Sequence, residues 1–321
     1  MFDALRVARF IFKIKALNDL NLPGYKGSAL RGGFGHALKQ LVCALKREKC
    51  ATCLLQDRCV YVYLFETPPA PDAEMMRLYP MAPHPFVIEP PTTDLDTISE
   101  GEFLEFGLVL IGNALDYLPY FLYAFMLFGE NGLGRDRGQF TLEEILVATS
   151  NGFSPVFDRN DKLLRKVVPF PDSEAIRSRC LKFPSEGALT MDFLTPTRIK
   201  FDGRLVEKPS FHHLVRSMLR RVSSLSYFHC DRKVDLDFRA MIDRSKEIEC
   251  ISSDLRWHDW HRYSSRQKQT MKLGGFMGRA VFVGSFKDFI PLLAWGEVLH
   301  LGKAASFGLG HLRLMETSSK S

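Results

Sequence analysis

Hydrophobic and polar residues alternate near the start of the chain. In "RFIFKIK", Phe10, Phe12 and Ile14 share one parity, and Arg9, Lys13 and Lys15 share the other. That pattern predicts a half-buried strand. From about Ala29 to Lys46 the period changes. Leu30, Phe34, Leu38, Leu41 and Leu45 recur at helical spacing and fall within about 80° of one another on a helical wheel, a buried stripe. After a cysteine-rich segment and a proline-rich stretch come two extended runs, "HPFVIEP" and "EFLEFGLVLIG". A second apolar helix is predicted from about Ala114 to Phe128, and "GLGRDRGQF" then turns back into extended chain.

The second half repeats this order. "ALTMDFLTPTRIKF" places Leu189, Met191, Phe193, Ile199 and Phe201 on one parity, with Pro196 implying an edge or a bend. A helix is predicted from about Phe211 to Ser226. Extended stretches follow around Asp254–Tyr263 and Thr270–Val283, then a helix over about Lys287–Leu299 and a last strand in "GHLRLM". Each half reads β-α-β-β-α-β. The fold class is therefore α+β, with two tandem ferredoxin-like domains. The predicted boundary gives a first domain over 1–185, with a cysteine-rich insertion at 43–59. The second covers 186–321, with a glycine-rich loop at 302–310. The same topology underlies RNA-recognition modules, which present an open sheet face to single-stranded RNA.

Composition changes the picture in three ways. A chain of 321 residues, 46% of them hydrophobic, can fill two cores. The longest apolar run, Tyr117–Gly129, is interrupted by Pro119 and falls short of the roughly 20 residues of a membrane span. The opening "MFDALRVARFIFKIK" mixes cations among its apolar residues and lacks the core of a signal peptide. Seven cysteines, four of them bunched, do not form a secreted disulfide framework. These features point to a reduced, cytoplasmic, soluble protein with no membrane partner. Net charge is +6 and unevenly placed: from Glu186 onward 22 Lys and Arg face 15 Asp and Glu. The second half is thus the candidate polyanion-binding part.

The stretch "GSALRGGFGHALK" puts Gly32, Gly33 and Gly35 around His36 at a predicted helix start. On the wheel His36 falls near 240° and Lys39 near 180°, both on the solvent side. A glycine-cleared first turn lets an anion approach unpaired N–H groups, and Tyr25, Lys26 and Arg31 lie close in sequence. An imidazole, a phenol and several cations suit metal-independent RNA cleavage. One group takes the 2′-hydroxyl proton, another supplies a proton to the leaving 5′-oxygen, and cations stabilise the phosphorane. The same spacing also suits a surface histidine on a glycine-loosened helix.

"CALKREKCATCLLQDRC" spaces Cys43, Cys50, Cys53 and Cys59 as C-x6-C-x2-C-x5-C. Four thiolates suit a closed structural zinc site, with an iron–sulfur cluster second and plain reduced cysteines as the remaining reading. "LRWHDWHRYSSRQKQTMKLGG" interleaves Trp257, Trp260 and Tyr263 with Arg256, Arg262, Arg266, Lys268 and Lys272. Such a mixture stacks on bases and neutralises phosphates, or is a hairpin with core aromatics and solvated charges. His212 and His213 are alternative acid–base groups, or surface and cap residues. "GKAASFGLGHL" is glycine-rich but does not match a Walker loop.

Taken together, "LPGYKGSALRGGFGHALK", "CATCLLQDRCVYVYLFE", "FLTPTRIKF", "DWHRYSSRQKQTMKLGGFMG" and "LGKAASFGLGHLRL" resemble, in order and over nearly the whole chain, the endoribonucleases of Cas family six. These belong to the RAMP superfamily and cut precursor CRISPR RNA. The resemblance implies metal-independent cleavage of repeat RNA to 2′,3′-cyclic phosphate and 5′-hydroxyl ends, with no cofactor for catalysis. It implies His36 as catalytic histidine, with Tyr25 and Lys39 beside it and Lys26 as a substitute for Lys39. The terminal loop, with Gly308 and Gly310, resembles the family's signature loop near the RNA path, which makes Lys303 and Arg313 candidate contacts. Implied partners are CRISPR repeat RNA or mature crRNA, other effector-complex subunits and a second copy of the chain. Two rival functions remain at this stage: a catalytically silent RAMP subunit that holds crRNA, and a metal-containing scaffold.

Overall fold

The computed structural model describes residues 2, 5–46, 49–69, 75, 81–91, 93, 95–264 and 269–315; the side chains of 261–264 and 269–272 lie outside the description. The chain divides into two compact units. One is Leu5–Pro171 with Tyr227–Asp231; the other is mainly Asp172–Ser226 and the chain from Arg232 onward.

The first unit contains β1 (Val7–Ala16), β2 (Leu20–Asn21), α1 (Lys26–Val42), α2 (Val60–Phe65), β3 (Phe86–Glu89), β4 (Thr97–Ile98), β5 (Phe103–Ile111), α3 (Leu118–Asn131), β6 (Phe140–Thr149) and β7 (Gly152–Asp158). Its main sheet has the order β3-β5-β1-β6-β7, with every pairing antiparallel. Without β7 this is the ferredoxin-like order. Sequence pattern did not isolate β7, because its first four residues are all exposed and no alternation marks them. Phe10, Phe12 and Ile14 are fully buried, as their parity predicts. Phe34 of α1 stacks on Phe121 and Phe125 of α3 at 4.6 and 5.0 Å between centroids. Each such ring contributes about 1.5–3 kcal/mol through burial.

Helix α1 differs from its predicted span. It begins three residues earlier and ends at Val42, so Leu41 and Leu45 are exposed at 44% and 39% instead of continuing the stripe. Cys43 turns extended and its N–H bonds back to the Lys39 carbonyl. The helix tolerates its glycines because two of them face neighbours. The Phe128 ring occupies the space a Cβ on Gly33 would need, and a Cβ on Gly35 would lie 2.9 Å from the Phe65 ring. The apolar helix expected from Ala114 opens instead with a 3-10 turn, Gly112–Tyr117, before α3. Pro119 sits in its first turn, where a missing N–H is harmless.

The second unit contains α4 (Ser173–Cys180), β8 (Glu186–Thr197), β9 (Lys200–Phe201), β10 (Arg204–Leu205), α5 (Phe211–His229), α6 (Phe238–Ser245), β11 (Glu249–His258), β12 (His261–Ser264), β13 (Gln269–Lys272), β14 (Gly275–Ser285), α7 (Ile290–Leu299) and β15 (Leu312–Met315). The last residues of α5, from Tyr227, group with the first unit. The four-stranded sheet runs β11-β14-β8-β15, antiparallel throughout, and is again ferredoxin-like. Leu189, Met191 and Phe193 of β8 are buried. The division after Pro171, not near 185, follows from α4. Arg179 on α4 holds both Glu297 carboxylate oxygens at 2.9 Å and donates to the Leu314 carbonyl at 2.9 Å, which ties α4 to α7 and β15.

Candidate nucleic-acid interface

His36 lies on the third turn of α1, not on its first, and is exposed. Gly32, one turn earlier on the same face, has nothing within 4 Å of where a Cβ would sit, so the imidazole is reachable from solvent. Tyr25 is the N-cap residue of the helix. It lies eleven positions before His36, about 16 Å along the helix axis. The two do not share one end of the helix as the glycine spacing suggested, and burial pushes the Tyr25 phenol well above its ordinary range. Lys26 is only 5% exposed and is not presented at the surface. The Arg31 guanidinium lies over the Phe65 ring at 4.6 Å, with Nη2 3.3 Å from His84 Nε2.

Lys39, one turn beyond His36, is engaged by the segment that follows α1. Its Nζ lies 5.3 Å from the centre of the Tyr61 ring. Partial burial lowers the Lys39 pKa, but the Cys50 thiol, Tyr61 and Glu66 outweigh it, and the net shift is upward. Cys50 shifts upward too, chiefly by burial and then by Glu66, against the pull of Lys39. Cys43, Cys50, Cys53 and Cys59 are all free and half-buried. Among the described residues no three of these sulfurs lie within 4.8 Å of one another. Their donor chemistry suits zinc, but as placed they do not form a tetrahedral shell.

In the second unit the glycine-rich loop is tied down along its length. Leu301 N–H donates to the Gly310 carbonyl at 2.8 Å, Lys303 N–H to the Arg198 carbonyl at 2.8 Å and Gly310 N–H to the Pro196 carbonyl at 3.1 Å. Thr195 Oγ1 donates to the Gly308 carbonyl at 2.8 Å and accepts from His311 N–H at 2.9 Å. Gly302, Ala304, Gly308 and Gly310 all have φ between 62° and 86°, where glycine is favoured. The loop presents Lys303 beside Lys200, Arg220 and Arg198. Burial, then these three like charges in that order, lowers the Lys303 pKa. Among the described residues no carboxylate pairs with Lys200 or Lys303. Like charges gathered around Lys303 favour an anion there. Sequence reading singled out Lys303 but missed Lys200, Arg198 and Arg220, which are far from it in sequence.

The open face of the second sheet is different. Cross-strand register lines up Arg313, Asp192, Arg279 and Asp254. Arg279 binds Asp192 through Nε and Nη2 at 2.6 and 2.8 Å, and Arg256 Nε lies 3.4 Å from Asp254. The candidate contact Arg313 thus sits in a row of alternating sign that carries no aromatic ring for base stacking, and Arg256 lies two positions along β11 from the Asp254 end of that row. Trp257 is occupied through Nε1–H to Asp259 at 2.9 Å. Arg262 and Lys272 lie on the paired strands β12 and β13, with side chains outside the description. Arg266 and Lys268 fall outside the described residues.

Two ferredoxin-like sheets in series, with a pinned glycine-rich loop leading into the last strand, define a tandem ferredoxin-like protein. Residues 191–312 match the family model for the CRISPR-associated endoribonuclease Cas6. Residues 5–169, just over half of the chain, match the AF_1859_N model, an N-terminal domain. The chain thus carries an AF_1859_N domain over its first half, and the larger part of its second half is similar to Cas6. An uncharacterized protein of Archaeoglobus fulgidus is 27% identical over 305 residues, 92% of this chain and 93% of the relative. A Cas6 product complex shares the fold at TM-score 0.58 and 17% identity, covering 97% of this chain and 99% of that one. Thermus thermophilus Cas6 does so at 0.55 and 15%, with 97% and 99% covered. A partial Cas6–RT–Cas1–Cas2 complex does so at 0.59 and 13%, with 99% of this chain and 47% of that chain covered. No helix among the described residues is long and apolar enough to cross a membrane.

Proposed function

We propose that this chain binds CRISPR repeat RNA and cuts it at one linkage. The 2′-oxygen loses its proton and bonds to the adjacent phosphorus. The P–O5′ bond breaks, the 5′-oxygen gains a proton, and a 2′,3′-cyclic phosphate remains. His36 carries one of the two proton transfers, a role open to an imidazole near neutral pH. The carrying observation is the glycine-rich loop, in the part of the chain that matches Cas6. There Lys303 stands among Lys200, Arg220 and Arg198, a cationic seat for a phosphodiester. Other CRISPR proteins as partners are supported by the fold shared with the Cas6–RT–Cas1–Cas2 complex.

A second reading is a silent crRNA-holding RAMP subunit. It is favoured by the isolation of His36: Lys39 is engaged by Tyr61 and Cys50, and Tyr25 stands three turns away. Incubation of the purified chain with repeat RNA in EDTA separates the two. One cut ending in a cyclic phosphate supports the enzyme. Tight binding without a cut supports the holding subunit, and no binding overturns both.

A further inference from the structure

The first turns of α5 carry chemistry that the reading above leaves unused. His212, Arg216 and Arg220 recur every four residues and so share one helix face. His213 stands beside them, its ring centroid 4.0 Å from that of His212. Phe201 of β9 packs into the group. Its ring is 4.7 Å from His213, 5.7 Å from His212 and 5.2 Å from the Arg216 guanidinium. Lys200, the neighbour of Phe201, also faces Lys303, as does Arg220. One line of positive groups therefore runs from His212 past Arg216 to Arg220, Lys200 and the glycine-rich loop. The helical part alone is about 12 Å long.

We propose that this stripe — His212, His213, Arg216 and Lys200 — is a phosphate-binding track that receives an RNA strand leaving the glycine-rich loop. Three observations support it. Among the described residues Arg216 and Lys200 have no carboxylate partner, so like charges are held together without compensation, and an anion relieves them. Arg216 is exposed and the two histidines are half-exposed, so a strand can reach them. Ser210 N–H donates to His213 Nδ1 at 3.0 Å, which leaves Nε2 of the neutral ring carrying the proton as a donor.

The histidines give the track its own signature. Burial first, then Arg216 and Lys246, lowers the pKa of His212; burial, His212 and Arg216 lower that of His213. Lys246 is itself paired with Asp243 at 2.7 Å, Ser210 meets His213, and Phe201 is the uncharged face. His213, whose Nδ1 accepts from Ser210, stays neutral and donates through Nε2; a phosphate beside His212 favours its charged form, so binding takes up a proton there. Affinity must then rise as pH falls toward the range in which His212 takes up its proton.

This inference rests on the RNA-binding reading, and the test separates the two. Binding of repeat RNA is measured for the wild-type chain, for a Lys200→Glu, Arg216→Glu double variant and for a His212→Asn, His213→Asn double variant, at pH 8.0 and 6.0 and over a salt series. The charge-reversed variant is expected to bind about 10–100-fold more weakly, with a salt slope smaller by about 2. The histidine variant is expected to lose the tightening that the wild type shows at pH 6.0. A Lys200→Gln, Arg216→Gln variant with wild-type circular dichroism guards against misfolding and is expected to lose binding in the same direction. Wild-type binding with unchanged variants and a shared pH response overturns the track alone. Failure of the wild type to bind RNA overturns the RNA reading and the track with it.

Discussion

The ring of Phe128 on α3 fills the space that a β-carbon on Gly33 of α1 would occupy. The glycine is there for close packing of two helices, not for access to a ligand. Gly33→Ala is expected to destabilise the chain by about 1–3 kcal/mol through overpacking, read as a lower midpoint in urea. Gly32 faces open space, so Gly32→Ala is expected to stabilise by up to about 1 kcal/mol. If both changes act alike, the packing account of α1 is wrong.

His36→Ala is expected to slow repeat-RNA cleavage by about 10²–10⁴-fold and to leave RNA affinity within about twofold. Single-turnover kinetics at saturating protein make the comparison. A variant that cuts at the normal rate removes His36 from the chemistry.

Lys303 trades stability for binding. Its folded-state pKa is depressed, first by burial and then by Lys200, Arg220 and Arg198. Its charge therefore opposes folding below that pKa, and the penalty fades as pH rises through it. Lys303→Met is expected to raise the melting temperature at pH 7 by about 1–2 °C, with the gain shrinking at alkaline pH. The same variant is expected to weaken RNA binding about five- to tenfold. Arg279→Ala, whose guanidinium is already held by Asp192, is expected to change affinity by less than about twofold.

The Cys50 thiol is held protonated by burial and Glu66, with Lys39 pulling the other way. Iodoacetamide at pH 7.5 is expected to label exposed Cys250 before Cys50, followed by mass spectrometry of peptides. Lys39→Met removes the opposing cation and is expected to slow Cys50 labelling roughly threefold further. Faster labelling in that variant contradicts the Lys39–Cys50 contact.

Much of the architecture was legible in the chain because burial imposes a period on it. Phe10, Phe12 and Ile14, or Leu189, Met191 and Phe193, must alternate if one face of a strand is to be buried, and so both six-element orders could be read. The ends of α1 were not legible. Its glycines argue against a helix by propensity, and only contact with Phe128 and Phe65 accounts for Gly33 and Gly35. The charged residues were least legible. Arg279 and Asp192 meet across 87 positions, so a run of cations gives no sign of which ones are already neutralised. One signal was present and unused: the four-residue spacing of His212, Arg216 and Arg220 marks a cationic helix face without any knowledge of the fold.

Four left-handed positions, at residues 302, 304, 308 and 310, hold the terminal turn in one shape before any polyanion arrives. Capture therefore requires no ordering of that segment at the moment of encounter. Its speed is left to electrostatically guided diffusion, so ionic strength, and not a folding step, governs how often the chain finds its target.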